Sequence, residues 1–206
     1  MKLAVIGGGS TYTPELADGI GRLLPDVTDF VLVDPDADRL AAVGPVSARI
    51  VAAHDHPARV SWTSNLDEGT EGADAILFQL RIGGQAARQR DETWPLDCGC
   101  VGQETTGAGG LAKALRTVPV VLDLAERASR RASPSAFIID FTNPVGIVTR
   151  ALLTAGHRAV GLCNVAIGFQ RDFASLLGVE AARVSLGHVG LNHLTWERSV
   201  LLDGVD

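Results

Sequence analysis

The chain has 206 residues, 46% of them hydrophobic and 20% charged, with a formal net charge of −6 at neutral pH. That balance supports a sizeable core and excludes extended disorder, and the acidic surplus argues against nucleic acid, whose phosphates are gripped by basic surfaces. No apolar run reaches the roughly 18 residues of a membrane span, too few apolar residues precede the first glycines for a signal peptide, and three cysteines make no disulfide framework, so a reducing, cytoplasmic setting is expected.

In chain order, the apolar run "LAVIG" predicts a strand that drops into the glycines of "VIGGGSTYTPEL" and then a helix over 14–24. Leu16, Ile20, Leu23 and Leu24 share one face of that helix, with Thr13 as its expected N-cap and Pro14 in its first turn. A strand-to-helix turn of this kind suits a pyrophosphate, Gly7 making the tight bend and Gly9 letting phosphates approach the backbone. Tyr12 stands where the usual fingerprint has its third glycine, so the local signal alone is weak. The next strand, "FVLVD", ends in Asp34, whose carboxylate suits the ribose hydroxyls of NAD; its simpler role is to start the turn "DPDADRL". A helix follows over 36–53.

The strand "AILFQL" leads into "LRIGGQAARQRDE", where Arg81 and Arg88 are candidate anion ligands or members of a solvated helix face. "GQETTGAGG" places Gln103, Glu104, Thr105 and Thr106 in a glycine-rich connection before a helix over 110–132. "AFIIDFT" is a further strand, and Asn143 in "FTNPVG" either caps the next helix or presents its amide to a substrate hydroxyl. "AVGLC" is the last strand of this series and ends on Cys163; a helix is expected over 167–178. From there "RVSLGHVGLNHLTWERSVLLDG" reads as longer strands added antiparallel to the sheet, with "DGVD" a turn between two strands. Cys163 and His193, 30 residues apart, follow no zinc-finger spacing. Taken alone they read as a buried small hydrophobe and a hydrogen-bonded histidine. His54, His56, His157 and His188 have no better claim, and Cys98 and Cys100 in "DCGC" read as structural.

Continuous apolar strands alternating with helices define an α/β fold: a Rossmann-like, doubly wound parallel sheet over 1–165, followed over 166–206 by the start of an antiparallel substrate-binding region.

Together and in this order, "VIGGGSTYTPEL", "LRIGG", "GQETTGAGG", "FTNPVG", "GLCNVAIGF" and "GLNHLTW" closely resemble the NAD-dependent glycoside hydrolases of family 4, particularly their 6-phospho-β-glucosidases. The resemblance implies hydrolysis of 6-phospho-β-glucosides by a redox cycle. NAD⁺ takes a hydride from C3 of the sugar, a base removes the acidified C2 proton, a divalent metal stabilises the enediolate, the aglycone is eliminated, water adds and the hydride returns. The family is an exception to the two-carboxylate rule of glycosidases. The resemblance assigns Gly7, Gly9, Ser10, Thr11, Tyr12 and Asp34 to NAD and Cys163 and His193 to the metal, for which Mn²⁺ is expected. It assigns Arg88, Asn143 and Asn164 to the substrate, Asn164 marking the 6-phospho-β branch. Ala166 departs from the proline of "CNVPIG". The base of the family is a later tyrosine, whereas Tyr12 is the only tyrosine here, so truncation is expected, and a fragment that binds NAD without appreciable hydrolysis. A full-length homo-oligomer is expected. Two other readings are an NAD-dependent dehydrogenase of the malate/lactate type, to which "FTNPV" is also similar, and a non-catalytic dinucleotide-binding module.

Overall fold

A computed structural model describes residues 1–205 and arranges them as a six-stranded parallel sheet covered by helices, followed by a separate β-hairpin. The sheet strands are β1 (Lys2–Ile6), β2 (Asp29–Val33), β3 (Arg59–Thr63), β4 (Ala75–Phe78), β5 (Phe137–Asp140) and β6 (Ala159–Gly161). Their order is β3-β2-β1-β4-β5-β6. The chain therefore builds outward from β1 in one direction, returns beside it as β4, and builds outward in the other. That reversal opens a crevice at the carboxyl ends of β1 and β4, where ligands bind in sheets of this kind.

Seven helices make the connections: α1 (Thr13–Leu23), α2 (Ala37–Ala53), α3 (Leu66–Thr70), α4 (Gly84–Asp97), α5 (Gly107–Arg131), α6 (Val145–Thr154) and α7 (Asn164–Leu177). Successive strand residues point to opposite faces, and here both faces are dry. Leu3 and Val5 of β1 pack with Ala17, Ile20 and Val51 under α1 and α2. Ala4 and Ile6 pack with Val121, Ala125 and Val148 under α5 and α6. Each large aliphatic side chain buried this way contributes roughly 1.5–3 kcal/mol. Burial on both sides explains why the central strands read as unbroken apolar runs.

Two expectations are corrected. Tyr12, not Thr13, occupies the N-cap of α1, and it makes no side-chain cap; the Thr13 hydroxyl instead donates to the Gly8 carbonyl at 2.8 Å. The late strands do not extend the main sheet. β7 (Val184–Leu191) and β8 (Leu194–Leu202) pair only with each other, antiparallel, because α7 carries the chain off the short edge strand β6. Gln170 of α7 anchors the hairpin by donating to the carbonyls of Ala181 and Val184. Asp203 and Gly204 of "DGVD" are both at positive φ and Leu202 is bridged to Val205; Asp206 and any strand after the turn lie outside the described residues. The sheet ends at Gly161 and α7 runs continuously across residues 165 and 166. Among the described residues, no helix is long and apolar enough to cross a membrane.

Candidate active site

The crevice is an open cleft of about 480 Å³. Its walls come from the segments that follow β1, β2, β4, β5 and β6. After β1, Gly7 takes φ +91° and lies so close to β4 that a Cβ there would stand 2.5 Å from the Gln79 carbonyl oxygen. The amides of Gly7 and Gly8 both donate to the Val33 carbonyl at 2.9 Å, and that of Gly9 donates to Asp34 Oδ2 at 3.0 Å. These three N–H groups therefore fasten the turn to β2. Ser10, Thr11 and Tyr12 form the next part of the wall, and Gly7 and Asp34 line the cleft with them. Gly9 lies beneath; its missing side chain makes room for Asp34 Oδ2, 2.9 Å from where a Cβ would stand. Asp34 also accepts the Asp36 amide at 3.0 Å through Oδ1, so its carboxylate is buried, oriented and edged by the cleft.

Below the β4 segment lies a cluster of charge. Lys113 of α5 is only 2% exposed and pairs with Glu104, which also accepts from Arg81. Arg88 of α4 donates to Glu92 at 2.8 Å and stands 3.4 Å from the second oxygen of Glu104. Burial pushes Lys113 below the ordinary lysine value, with Glu104 offsetting part of the effect. Burial pushes the other way on Glu104, but its bonds to Lys113 and Arg81 win and hold the carboxyl below the usual range. Arg81 and Lys113 line the cleft. Behind them Arg116 makes a two-pronged pair with Asp91 and donates to the Ile82 carbonyl at 2.9 Å.

The far wall is organised by Asp140, the last residue of β5 and fully buried. Its Oδ1 accepts the Thr142 amide at 2.9 Å and its Oδ2 accepts the Thr149 hydroxyl at 3.2 Å. Burial lifts its carboxyl to about 6, the two threonines opposing the rise. The Thr142 hydroxyl accepts the Leu80 amide at 3.0 Å, which ties the β5 loop to the β4 loop. Asn143 then faces the cleft, joined to Pro144 by a cis peptide bond, and Asn164 joins it from the start of α7.

Cys163 occupies the N-cap position of α7. His193 sits in the tight turn of the β7–β8 hairpin, at φ +58°. Fold alone brings them together: Cys163 Sγ lies 3.4 Å from His193 Nε2. Thiolate and imidazole ligands bind a shared ion at about 2.3 and 2.1 Å, so a 3.4 Å separation fits two neighbouring ligands of one metal. No third His, Cys, Asp or Glu among the described residues joins them. The pair therefore suits an ion that completes its shell with oxygens of a bound molecule.

Of the residues singled out in the sequence, Gly7, Ser10, Thr11, Tyr12, Asp34, Asn143 and Asn164 line one cleft. Cys163 and His193 meet beside Asn164. Arg88 is not among the lining residues, being held by Glu92 and Glu104. Sequence reasoning passed over Lys113 and Gln79. The signal for Lys113 is its place on the buried stripe of α5, between Gly109 and Thr117. A hydroxyacid dehydrogenase requires a histidine partnered by a carboxylate at the cofactor. The one histidine–carboxylate pair among the described residues is His54–Asp18 at 2.8 Å, and neither member lines the cleft.

The sequence pattern of the family 4 glycosyl hydrolases matches residues 2–179. The chain is 41% identical over 211 aligned positions to a probable 6-phospho-beta-glucosidase of Bacillus subtilis, covering all of this chain and 48% of that protein. Its fold superposes on a 6-phospho-alpha-glucosidase from gut microorganisms, solved with NAD and glucose-6-phosphate, at a TM-score of 0.92 and 30% identity, over 100% of this chain and 48% of that one. The 6-phospho-beta glucosidase of Thermotoga maritima, solved with manganese, NAD⁺ and glucose-6-phosphate, gives 0.89 and 35% over 99% and 50%. The chain thus spans about half the length of the relatives it matches. With the family pattern running through the glycine turn, the β4 and β5 loops and Cys163, the chain belongs to the family 4 glycosyl hydrolases.

Proposed function

We propose that this chain carries the cofactor and metal half of an NAD⁺- and divalent-metal-dependent 6-phospho-β-glucosidase, working on soluble phosphorylated glucosides in the cytoplasm as part of a homo-oligomer. The observation that carries the reading is the 3.4 Å approach of Cys163 Sγ to His193 Nε2 at the end of the cleft bounded by Asn143 and Asn164. It is supported by the manganese, NAD⁺ and glucose-6-phosphate of the Thermotoga maritima relative.

In this reading the dinucleotide lies along the carboxyl ends of β1, β2 and β4. Ser10, Thr11 and the N-terminus of α1 face its phosphates, where helix amides and the helix dipole favour negative charge. Asp34, oriented by the amides of Gly9 and Asp36, takes a ribose hydroxyl. Tyr12 packs beside the cofactor. When bound, the dinucleotide supplies a reversible hydride acceptor and the divalent ion a Lewis acid for developing oxygen charge. Cys163 and His193 hold the ion and leave its remaining positions to sugar oxygens. Softness alone would match thiolate and imidazole to zinc, but a shell completed by oxygens favours Mn²⁺. Asn143 and Asn164 offer amide donors and acceptors to the sugar hydroxyls; Arg88, which the family resemblance assigns to the substrate, is held by Glu92 and Glu104 and lies outside the cleft lining.

The test is hydrolysis of 4-nitrophenyl 6-phospho-β-glucoside by the protein of the full reading frame, with and without NAD⁺ and Mn²⁺. Turnover that needs both and collapses in Cys163→Ser supports the reading. Turnover without nicotinamide, or net NADH formation from malate or lactate instead, refutes it.

A further inference from the structure

Gln79 follows β4, lines the cleft and is half-buried. Its side-chain Nε2 lies 3.1 Å from the Gly7 carbonyl oxygen and 2.7 Å from Thr13 Oγ1. Which end of a glutamine amide faces a contact is settled by what the neighbours need. Here both neighbours need a donor. The Gly7 carbonyl can only accept, and Thr13, fully buried, already spends its hydroxyl proton on the Gly8 carbonyl at 2.8 Å. Both Nε2 hydrogens are thus committed. Backbone bonds complete the clamp: the Gln79 amide donates to the Ile6 carbonyl at 3.0 Å, and the Gly7 and Gly8 amides donate to Val33. The glycine turn is held on the β2 side by the Val33 carbonyl and the Asp34 carboxylate, and on the β4 side by the Gln79 side chain.

We propose that Gln79 is a positioning residue for the dinucleotide, acting through the Gly7–Thr13 turn. The inference rests on the cofactor reading above, and it adds a residue to it. Nε2 holds the Gly7 carbonyl directly and, through the Thr13 hydroxyl, the Gly8 carbonyl, so the turn keeps the shape that places Ser10, Thr11 and Tyr12 in the cleft wall. A turn released from these donors loses that shape, and with it the wall against which the dinucleotide lies.

The decisive variant is Gln79→Glu, which keeps the shape and replaces both donors by a carboxylate oxygen aimed at two acceptors. Gln79→Met keeps the length, carries no charge and removes the donors, so it guards against a variant that fails to fold. NAD⁺ affinity is measured by calorimetric titration, Mn²⁺ affinity in parallel, and folding by thermal unfolding. The expectation is a tenfold or greater loss of NAD⁺ affinity in Gln79→Glu, a several-fold loss in Gln79→Met, and unchanged Mn²⁺ affinity in both. Wild-type NAD⁺ affinity in folded Gln79→Met or Gln79→Glu overturns the inference and leaves the cofactor reading standing. A wild-type chain that binds no NAD⁺ overturns both. Equal losses of NAD⁺ and Mn²⁺ affinity show a general structural role and overturn the inference alone.

Discussion

Asp140 gives the most quantitative test of the far wall. Its carboxyl moves from an ordinary 3.8 to about 6 because it is buried, with hydrogen bonds from Thr142 and Thr149 pulling against the rise. Between those two pH values the folded chain holds a proton that the unfolded chain has released. Proton binding then favours the folded state at the acid end, so the Asp140 contribution to stability falls as pH rises from about 4 to about 6. A rise of just over two pH units, at about 1.4 kcal/mol each, sets an upper bound of about 3 kcal/mol. Asp140→Asn removes the titration and keeps the shape: the amide oxygen still accepts from the Thr142 N–H, and the Thr149 hydroxyl can turn to accept from the amide nitrogen. Wild type and variant are unfolded in urea at steps from pH 4 to 7. Groups with the opposite trend, such as Glu104, are common to both proteins and cancel in the difference. Wild type should lose up to about 3 kcal/mol relative to Asp140→Asn across the range, or about 6–12 °C in Tm for a chain of this length. Parallel stability curves would show that burial does not govern this carboxyl.

Three other outcomes are expected. Gly9→Ala puts a Cβ 2.9 Å from Asp34 Oδ2 and 3.1 Å from Arg39 Cβ; displacing the carboxylate from the Gly9 amide should weaken NAD⁺ binding about tenfold, or about 1.4 kcal/mol, and an unchanged titration would refute the packing argument. Glu104→Gln leaves the Lys113 ammonium without its counter-charge at 2% exposure; breaking such a pair costs about 3–5 kcal/mol, checked by urea unfolding, and a cost below about 1 kcal/mol would place Lys113 in contact with water. Cys163→Ser should raise the Mn²⁺ dissociation constant at least tenfold, read from the paramagnetic signal of free Mn²⁺, while NAD⁺ affinity stays within twofold.

The parts of this fold that were legible in the sequence are those whose burial is uniform. β1, β2, β4 and β5 are covered on both faces, so the requirement for apolar side chains is continuous and the strands stand out. β3 was not legible because it is an edge strand: "RVSWT" has no buried residue, with Arg59, Ser61 and Trp62 exposed and Val60 and Thr63 half-buried, and no apolar run marks it. α4 was missed for a related reason. Its inward positions are Ala87, Asp91 and Pro95, and two of these belong to the charged cluster or end the helix, so it shows no apolar stripe. In both cases the residues answer to a neighbour that sequence spacing does not reveal: Asp29 for Arg59, and Arg116 for Asp91.

The same physics separates the two halves of the site. The turn from Gly7 to Tyr12 is local, so its strand–turn–helix form could be read from adjacent residues; with Tyr12 in the place of a glycine that signal alone was weak, and the ordered motifs further along the chain gave it meaning. The Cys163–His193 contact is assembled by topology: β6 must end at the cleft rim, α7 must turn the chain away, and the hairpin must fold back so that its tip returns to the start of that helix. Gly161 shows how tightly this return is set. A Cβ there would stand 2.1 Å from Thr149 Oγ1, the hydroxyl that Asp140 accepts. The strand that delivers Cys163 is thus packed against the same threonine that braces the loop presenting Asn143. Cys163 and Asn143, 20 positions apart, thus share one support, which is why spacing alone argued against the pairing of Cys163 with His193 and the fold argues for it.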